Sequence, residues 1–316
     1  MLVDILLSTY NGEKYIEELF ESLISQTYGD WKIIIRDDGS TDNTINKINT
    51  FVKKNPSKVV LINDEEGNIG YTKSFMKLLS CSGSDYIMFC DQDDVWKSNK
   101  IEDLLKLIRE KETKLNNQIT PHLAFSDLTV VNQTLEVIYG SFLNHIGFKK
   151  NKGQQIHLLK NYTPGCNIIF NRSLKEFSLQ TENLVGLHDF WLVILAACIG
   201  KISYTNQSLM LYRIHESNSI GIKVNKVNNV KDLEIFLKNI LKFVFNNVEY
   251  RKNLYNNNLL QINEFNNKFP ELISDEGKFL ANISDSNLFV RKFYNINKPF
   301  ILHEKVLDQI TYILCF

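Results

Sequence analysis

Strand-like and helix-like stretches alternate four times between Leu2 and Leu115, and nothing else in the chain limits its fold as tightly. Leu2–Leu7, Trp31–Arg36, Val59–Ile62 and Tyr86–Cys90 are short apolar runs rich in strand formers. Ile16, Leu19, Phe20, Leu23 and Ile24 recur at helical spacing after the first run. Ile45, Ile48 and Val52 do so after the second, in a helix reaching Lys54 that Ser40 or Thr41 could cap. Tyr71–Leu79 follows the third run, and Ile101–Leu115, with its stripe of Ile101, Leu104, Leu105 and Ile108, follows the fourth. Strands apolar on both faces, with helices between them, predict an α/β protein built on a mostly parallel, Rossmann-like sheet covered on both sides.

Polar clusters stand at the carboxyl ends of these runs, the edge where open α/β sheets bind ligands. The fourth is the most charged: Asp91, Asp93 and Asp94 follow Cys90 directly. Three carboxylates this close repel one another unless they share a cation, and oxygen donors suit magnesium or manganese. A divalent ion holding a diphosphate fits the pattern; a helix cap or solvated turn is the competing reading. A Gly-x-Gly-x-x-Gly turn and a Walker loop are both absent, which argues against nicotinamide enzymes and P-loop nucleotidases.

Lys plus Arg and Asp plus Glu both number 36 in 316 residues, so no global field recruits nucleic acid. The five cysteines are scattered in apolar surroundings and read as core thiols of a reduced compartment. With no signal-peptide pattern and no apolar run near the roughly 18 to 20 residues of a bilayer span, the expected location is cytoplasmic, with peripheral contact at the inner membrane face as an option.

Further along, His122–Val131 reads as a strand whose Ser126-Asp127 pair marks a turn or an edge, and residues 139–152 as a flexible connection. Asn161–Arg172 is a turn feeding a strand, bent by Pro164-Gly165. Gly186–Trp191 opens an apolar helix to about Ile199, and Ile202–Ile214 holds two short strands ending in Tyr212-Arg-Ile-His215. From about Val224, Leu233, Phe236, Leu237, Ile240, Leu241 and Val244 form a helical stripe, with a second at Val306, Leu307, Ile310, Ile313 and Leu314. The expected organisation is a catalytic domain over 1–222 and a helical region over 223–316 for packing, homodimer contact or membrane association.

Taken in order, Ser8-Thr-Tyr-Asn-Gly12, Asp37-Asp-Gly-Ser-Thr-Asp42, Asn68-Ile-Gly70 and Asp91-Gln-Asp-Asp-Val-Trp96 resemble the motifs of family 2 glycosyltransferases with the GT-A fold, over about residues 1–220. The last is similar to rhamnosyltransferase-like members that build bacterial surface polysaccharides. The resemblance implies Mn2+ or Mg2+ held by Asp91 and Asp93, with His215 completing the shell and Asp94 orienting the sugar or its loop. Asp38 would accept from a pyrimidine N3–H, while Thr9, Tyr10, Asn11, Asn68, Gly70, Lys73 and Gln92 line the nucleotide and donor side. Asp189 would be the base of an inverting, non-processive transfer. Trp96, Thr163, Gly165, Cys166, His188 and Trp191 would meet the acceptor.

For each position a plainer reading stays open: Asp37 or Asp38 as a helix cap, Lys73 as a solvated side chain, His215 as structural, both tryptophans as core. The implied donor is a nucleoside diphosphate sugar, dTDP-L-rhamnose favoured over a UDP-hexose, and the acceptor a glycan or lipid-linked oligosaccharide. A non-catalytic nucleotide-sugar binding module is the alternative of a different class; a nucleotidyltransferase would need a Gly-rich phosphate loop that Ser8–Glu13 does not provide.

Overall fold

A computed structural model describes residues 1–115, 118–148, 163–179 and 188–216, all within one compact unit, Met1–Ser219. The helical stripes expected beyond Val224 lie outside the described residues. In chain order the elements are β1 (Val3–Thr9), α1 (Ile16–Ile24), β2 (Trp31–Asp37), α2 (Thr44–Lys54), β3 (Val59–Ile62), α3 (Tyr71–Cys81), β4 (Tyr86–Cys90), β5 (Val95–Trp96) and α4 (Lys100–Lys111). There follow β6 (Lys114–Leu115), β7 (Gln118–Ile119), β8 (His122–Val131), β9 (Val137–Tyr139), α5 (Phe142–His145), β10 (Ile168–Asn171), α6 (Arg172–Ser178), α7 (His188–Ile199) and β11 (Lys201–Arg213).

The main sheet runs β3-β2-β1-β4-β10-β8-β11-β5, with β9 beside β8, and its first four strands are mutually parallel as expected. β10 is antiparallel to both of its neighbours, β4 and β8. Its reversal is what builds the site, because Ile169 lies opposite Met88 and the turn before β10 therefore lands beside the carboxyl end of β4. β1 and β4 are buried along nearly their whole length, and α1 seals them from one side with Ile16, Leu19, Phe20 and Leu23. Phe20 stacks on Phe51 of α2 at 3.9 Å, joining the two helices over the sheet.

Three readings of the sequence are corrected. The stretch Ile202–Ile214 is one strand, β11, whose register against β8 slips on either side of Ser208; such irregularities make a long strand look like two in sequence. The Ser126-Asp127 pair sits inside β8, fully buried, with Asp127 accepting from the Ser141 hydroxyl and Leu143 N–H, so it anchors α5 rather than marking an edge. Neither Ser40 nor Thr41 caps α2; Asp42 accepts the Thr44 N–H at 3.0 Å. No helix among the described residues is long and apolar enough to cross a membrane.

Candidate active site

The carboxyl ends of β1, β2 and β4 form one polar rim. At its β2 corner the two aspartates divide their work. Asp37 takes the hydroxyls of Thr9 (2.7 Å) and Ser40 (2.6 Å) and the Ser40 N–H (2.8 Å), which folds the loop back on itself. Asp38, 3 % exposed, accepts from Arg36 Nη1 at 2.5 Å and from the N–H groups of Ile69 and Gly70, both at 2.9 Å. A carboxylate has about four acceptor positions, so one remains on Asp38 after these three. Arg36 is itself buried and bridges Asp38 to Asp64 and the Gly67 carbonyl. Asn11 ties the first loop to the second by accepting the Thr41 N–H, and the Tyr10 ring stands 49 % exposed above them. Asn68 and Lys73 are exposed.

At the β4 corner the acidic cluster is assembled by β11. Arg213, 1 % exposed, gives its backbone N–H to Asp94 Oδ1 (3.0 Å) and its side chain to the Asp93 carbonyl (2.8 Å), while pairing with Glu18 and lying over the Tyr15 ring at 4.5 Å. His215 Nε2 contacts Asp93 Oδ2 at 2.7 Å, which brings together two residues far apart in sequence. Gln92 clasps the backbone of Tyr10, on the loop after β1. The Gly12 Cα faces that clasp so closely that a Cβ would lie 2.3 Å from Gln92 Oε1.

Asp91, Asp94 and Cys166 each turn a ligand-type atom to a common point, all within 4.8 Å of one another. Burial, then the charge of Asp93, pushes the Asp91 carboxyl up to about 7. Burial first, with Asp93 and Asp91 adding to it, raises Asp94 well above the ordinary range, against the Arg213 N–H and the Cys166 thiol, which act to lower it. Carboxylates held this close and this dry suit a hard divalent ion, which would discharge the repulsion. Cys166 suits it less: burial drives the thiol far above its usual value, and sulfur is a soft donor.

Asp189 opens α7 and meets the turn that precedes β10. A Cβ on Gly165 would stand 2.8 Å from Asp189 Cβ and 3.2 Å from its Oδ2, so only glycine lets the turn and the carboxylate meet. Asp189 also adds to the charge felt by Asp91, which puts the candidate base and the acidic cluster in one electrostatic neighbourhood. Asp189 Oδ1 accepts the N–H of the next residue, Phe190, at 2.7 Å.

The expected acceptor contacts fare differently. Gly165 and Cys166 reach the site; Thr163 is buried beside them. Trp96 and Trp191, 2 % and 1 % exposed, are core residues with no ring face free for a sugar, which corrects that expectation. His188 is corrected too: it is buried, stacked on Phe75 at 4.2 Å and edge-on to Phe89, and burial lowers its imidazole to about 3. Sequence reasoning missed the buried cations Arg36, Lys100 and Arg213. Arg36 and Lys100 lie within a few residues of acidic pairs, Asp37-Asp38 and Glu102-Asp103, a signal that could have marked them; Arg213 has no such neighbour.

A half-parallel sheet with carboxylates and a helix-borne Asp gathered at one edge is the architecture of GT-A glycosyltransferases. The glycosyl transferase family 2 model matches residues 4–177, more than half of the chain, and the protein belongs to that family. It is a glycosyltransferase. Among its relatives, GlyG of Streptococcus pneumoniae is 33% identical over 76% of this chain and 79% of its own. The dTDP-rhamnosyl transferase RfbG of Shigella flexneri is 29% identical, covering 69% of this chain and 75% of that protein. The glucosyltransferase WfgD of Escherichia coli, named for a UDP-Glc donor and a diphosphoundecaprenol acceptor, is 28% identical over 79% of this chain and 92% of its own. In structure the chain is similar to residues 1–349 of Staphylococcus aureus TarS, with a TM-score of 0.56, 16% identity, and coverage of 100% of this chain and 79% of that one.

Proposed function

We propose that the protein moves a sugar from a nucleoside diphosphate, with dTDP-L-rhamnose favoured and a UDP-hexose second, to a glycan or lipid-linked acceptor in bacterial surface polysaccharide synthesis. The observation that carries this reading is the convergence of Asp91 and Asp94 on the Cys166 turn, where Gly165 meets Asp189, at one sheet edge. Asp91 and Asp93, backed by His215, would hold Mn2+ or Mg2+, which when bound offsets the charge of the departing diphosphate. Asp38 uses its remaining acceptor position for a pyrimidine N3–H, present in uracil and thymine and absent in cytosine. Tyr10 offers its exposed ring to the base. Asp189 takes the proton from the acceptor hydroxyl, and one displacement with one base inverts the anomeric carbon. The names of RfbG and WfgD support the two donors in that order. Work on the cytoplasmic side of the membrane, where lipid-linked acceptors are exposed, goes with this reading.

The test is release of nucleoside diphosphate from a panel of dTDP-, UDP- and CDP-sugars in Mn2+, alongside melting curves with the free diphosphates. Turnover of a dTDP- or UDP-sugar, and stabilisation by dTDP or UDP but not CDP, is expected. Nucleotide-dependent stabilisation without turnover of any donor would leave the binding module in its place.

A further inference from the structure

Arg36, the last residue but one of β2, has no exposed surface, and all five of its guanidinium N–H groups are used. Nη1 donates to Asp38 Oδ1 at 2.5 Å and to the Ser74 hydroxyl at 3.1 Å. Nε and Nη2 form a fork on Asp64, at 2.8 and 3.2 Å, and Nη2 donates as well to the Gly67 carbonyl at 2.9 Å. Asp64 is gripped from its other side by Lys77 Nζ at 3.0 Å and accepts the Glu66 N–H at 3.2 Å. Hydrogen bonds from Arg36, joined by those from Lys77 and Glu66, hold the Asp64 carboxyl far below the usual carboxylate range, so the fork is an ion pair at neutral pH.

The guanidinium thus spans from the end of β2 to the loop Asp64–Gly70, and that loop returns to Asp38 through the N–H groups of Ile69 and Gly70. The closed ring of contacts is uneven on Asp38. Oδ1 takes both Arg36 and the Ile69 N–H, whereas Oδ2 takes the Gly70 N–H alone. With about two acceptor positions on each oxygen, the open one lies on Oδ2. Turning the carboxyl group over would break a charge-assisted bond between two groups shut away from water.

We propose that Arg36, seated by Asp64, is the positioning residue of base recognition: it holds the Asp64–Gly70 loop against Asp38 before any nucleotide arrives and fixes Oδ2 as the single acceptor offered to the base. It meets no ligand itself. One fixed acceptor fits a ring that brings one N–H, while the bare N3 of cytosine would set two acceptors against each other. The selectivity rests on the reading of Asp38 given under the proposed function; the locking of the loop does not.

Two measurements on the full chain test it. The first uses no nucleotide: amide hydrogen exchange over residues 64–72, read by mass spectrometry. R36M keeps an apolar stem and removes the five donors; D64N leaves Arg36 its charge but turns an amide N–H toward the fork. In both, the segment should exchange about tenfold faster than in the unaltered protein, with α4 unchanged. R36K, which retains the charge without the fork, should fall between. The second is calorimetric titration with UDP and with CDP, where R36M and D64N should cut the preference for UDP about 5- to 10-fold, chiefly by weakening UDP. Should R36M yield no folded protein, D64N, at a partly exposed position, carries both measurements. Unchanged exchange over 64–72 would overturn the proposal. So would faster exchange with the preference for UDP intact, which would leave Arg36 a tie within the fold. No preference for UDP over CDP in the unaltered protein would overturn the reading of Asp38, and the selectivity role with it, whereas the exchange result decides the locking by itself.

Discussion

Gln92 closes its carboxamide on the backbone of Tyr10 in both directions, taking the N–H on Oε1 and giving Nε2–H to the carbonyl, each at 2.9 Å. The clasp joins the loop after β1, which carries the exposed Tyr10 ring, to the loop after β4, which carries the carboxylates. Q92A should unlatch it without disturbing the core and weaken nucleoside diphosphate binding about tenfold, the scale of one or two hydrogen bonds. Calorimetric titration with dTDP or UDP reads this out; unchanged affinity would mean that the clasp is incidental to the nucleotide.

Gly165 lies where any side chain would strike Asp189. G165A should therefore displace the carboxylate by a fraction of an ångström and lower kcat about 10- to 100-fold, with little change in nucleotide affinity. A parallel fall in both would locate the damage in the fold rather than in the base.

D189N leaves the shape of the α7 start and removes the acceptor of the proton. Transfer should drop by about 10³-fold while dTDP or UDP still raises the melting temperature. Near-normal turnover in steady-state assays would assign the base elsewhere.

His188 packs among Phe75, Phe89 and Tyr71 with a buried Nδ1 that has no hydrogen-bond partner. In the fold its imidazole lies near 3, against 6.5 when free, because burial opposes the charge. Below pH 6.5 the unfolded chain therefore binds the proton more readily, and stability is lost as the pH falls from there toward about 3. H188F fills the same slot without the orphan nitrogen. It should melt about 2 to 4 °C higher at neutral pH, lose stability less steeply on acidification, and retain transfer. Loss of activity with a normal melting curve would return His188 to the acceptor site.

The parallel half of the sheet was legible because a strand covered on both faces has to be apolar throughout, and Leu2–Leu7, Trp31–Arg36 and Tyr86–Cys90 are close to that. β11 was not, since polar Asn206 and Gln207 sit beside its slip in register and imitate a turn. The carboxylates could be read as a cluster from spacing alone. The division of Asp37 from Asp38 could not, because it depends on Arg36 and on backbone N–H groups of a loop that lies 31 and 32 residues further on. Lys100 resists sequence reading for a related reason: a lysine in the first turn of a helix is ordinarily solvated, and only the arrival of Cys166 from a distant turn and Met210 from a distant strand encloses it.

β10 runs against both of its neighbours, and that single reversal separates two kinds of change open to the protein. The nucleotide half rests on β1, β2 and β4, where each loop is locked to another. The turn feeding β10 arrives at the same rim from the opposite direction, tied to it mainly through Gly165 and Cys166. On the proposed reading, a change at this turn can thus alter which hydroxyl meets Asp189 while leaving untouched the rim formed by β1, β2 and β4.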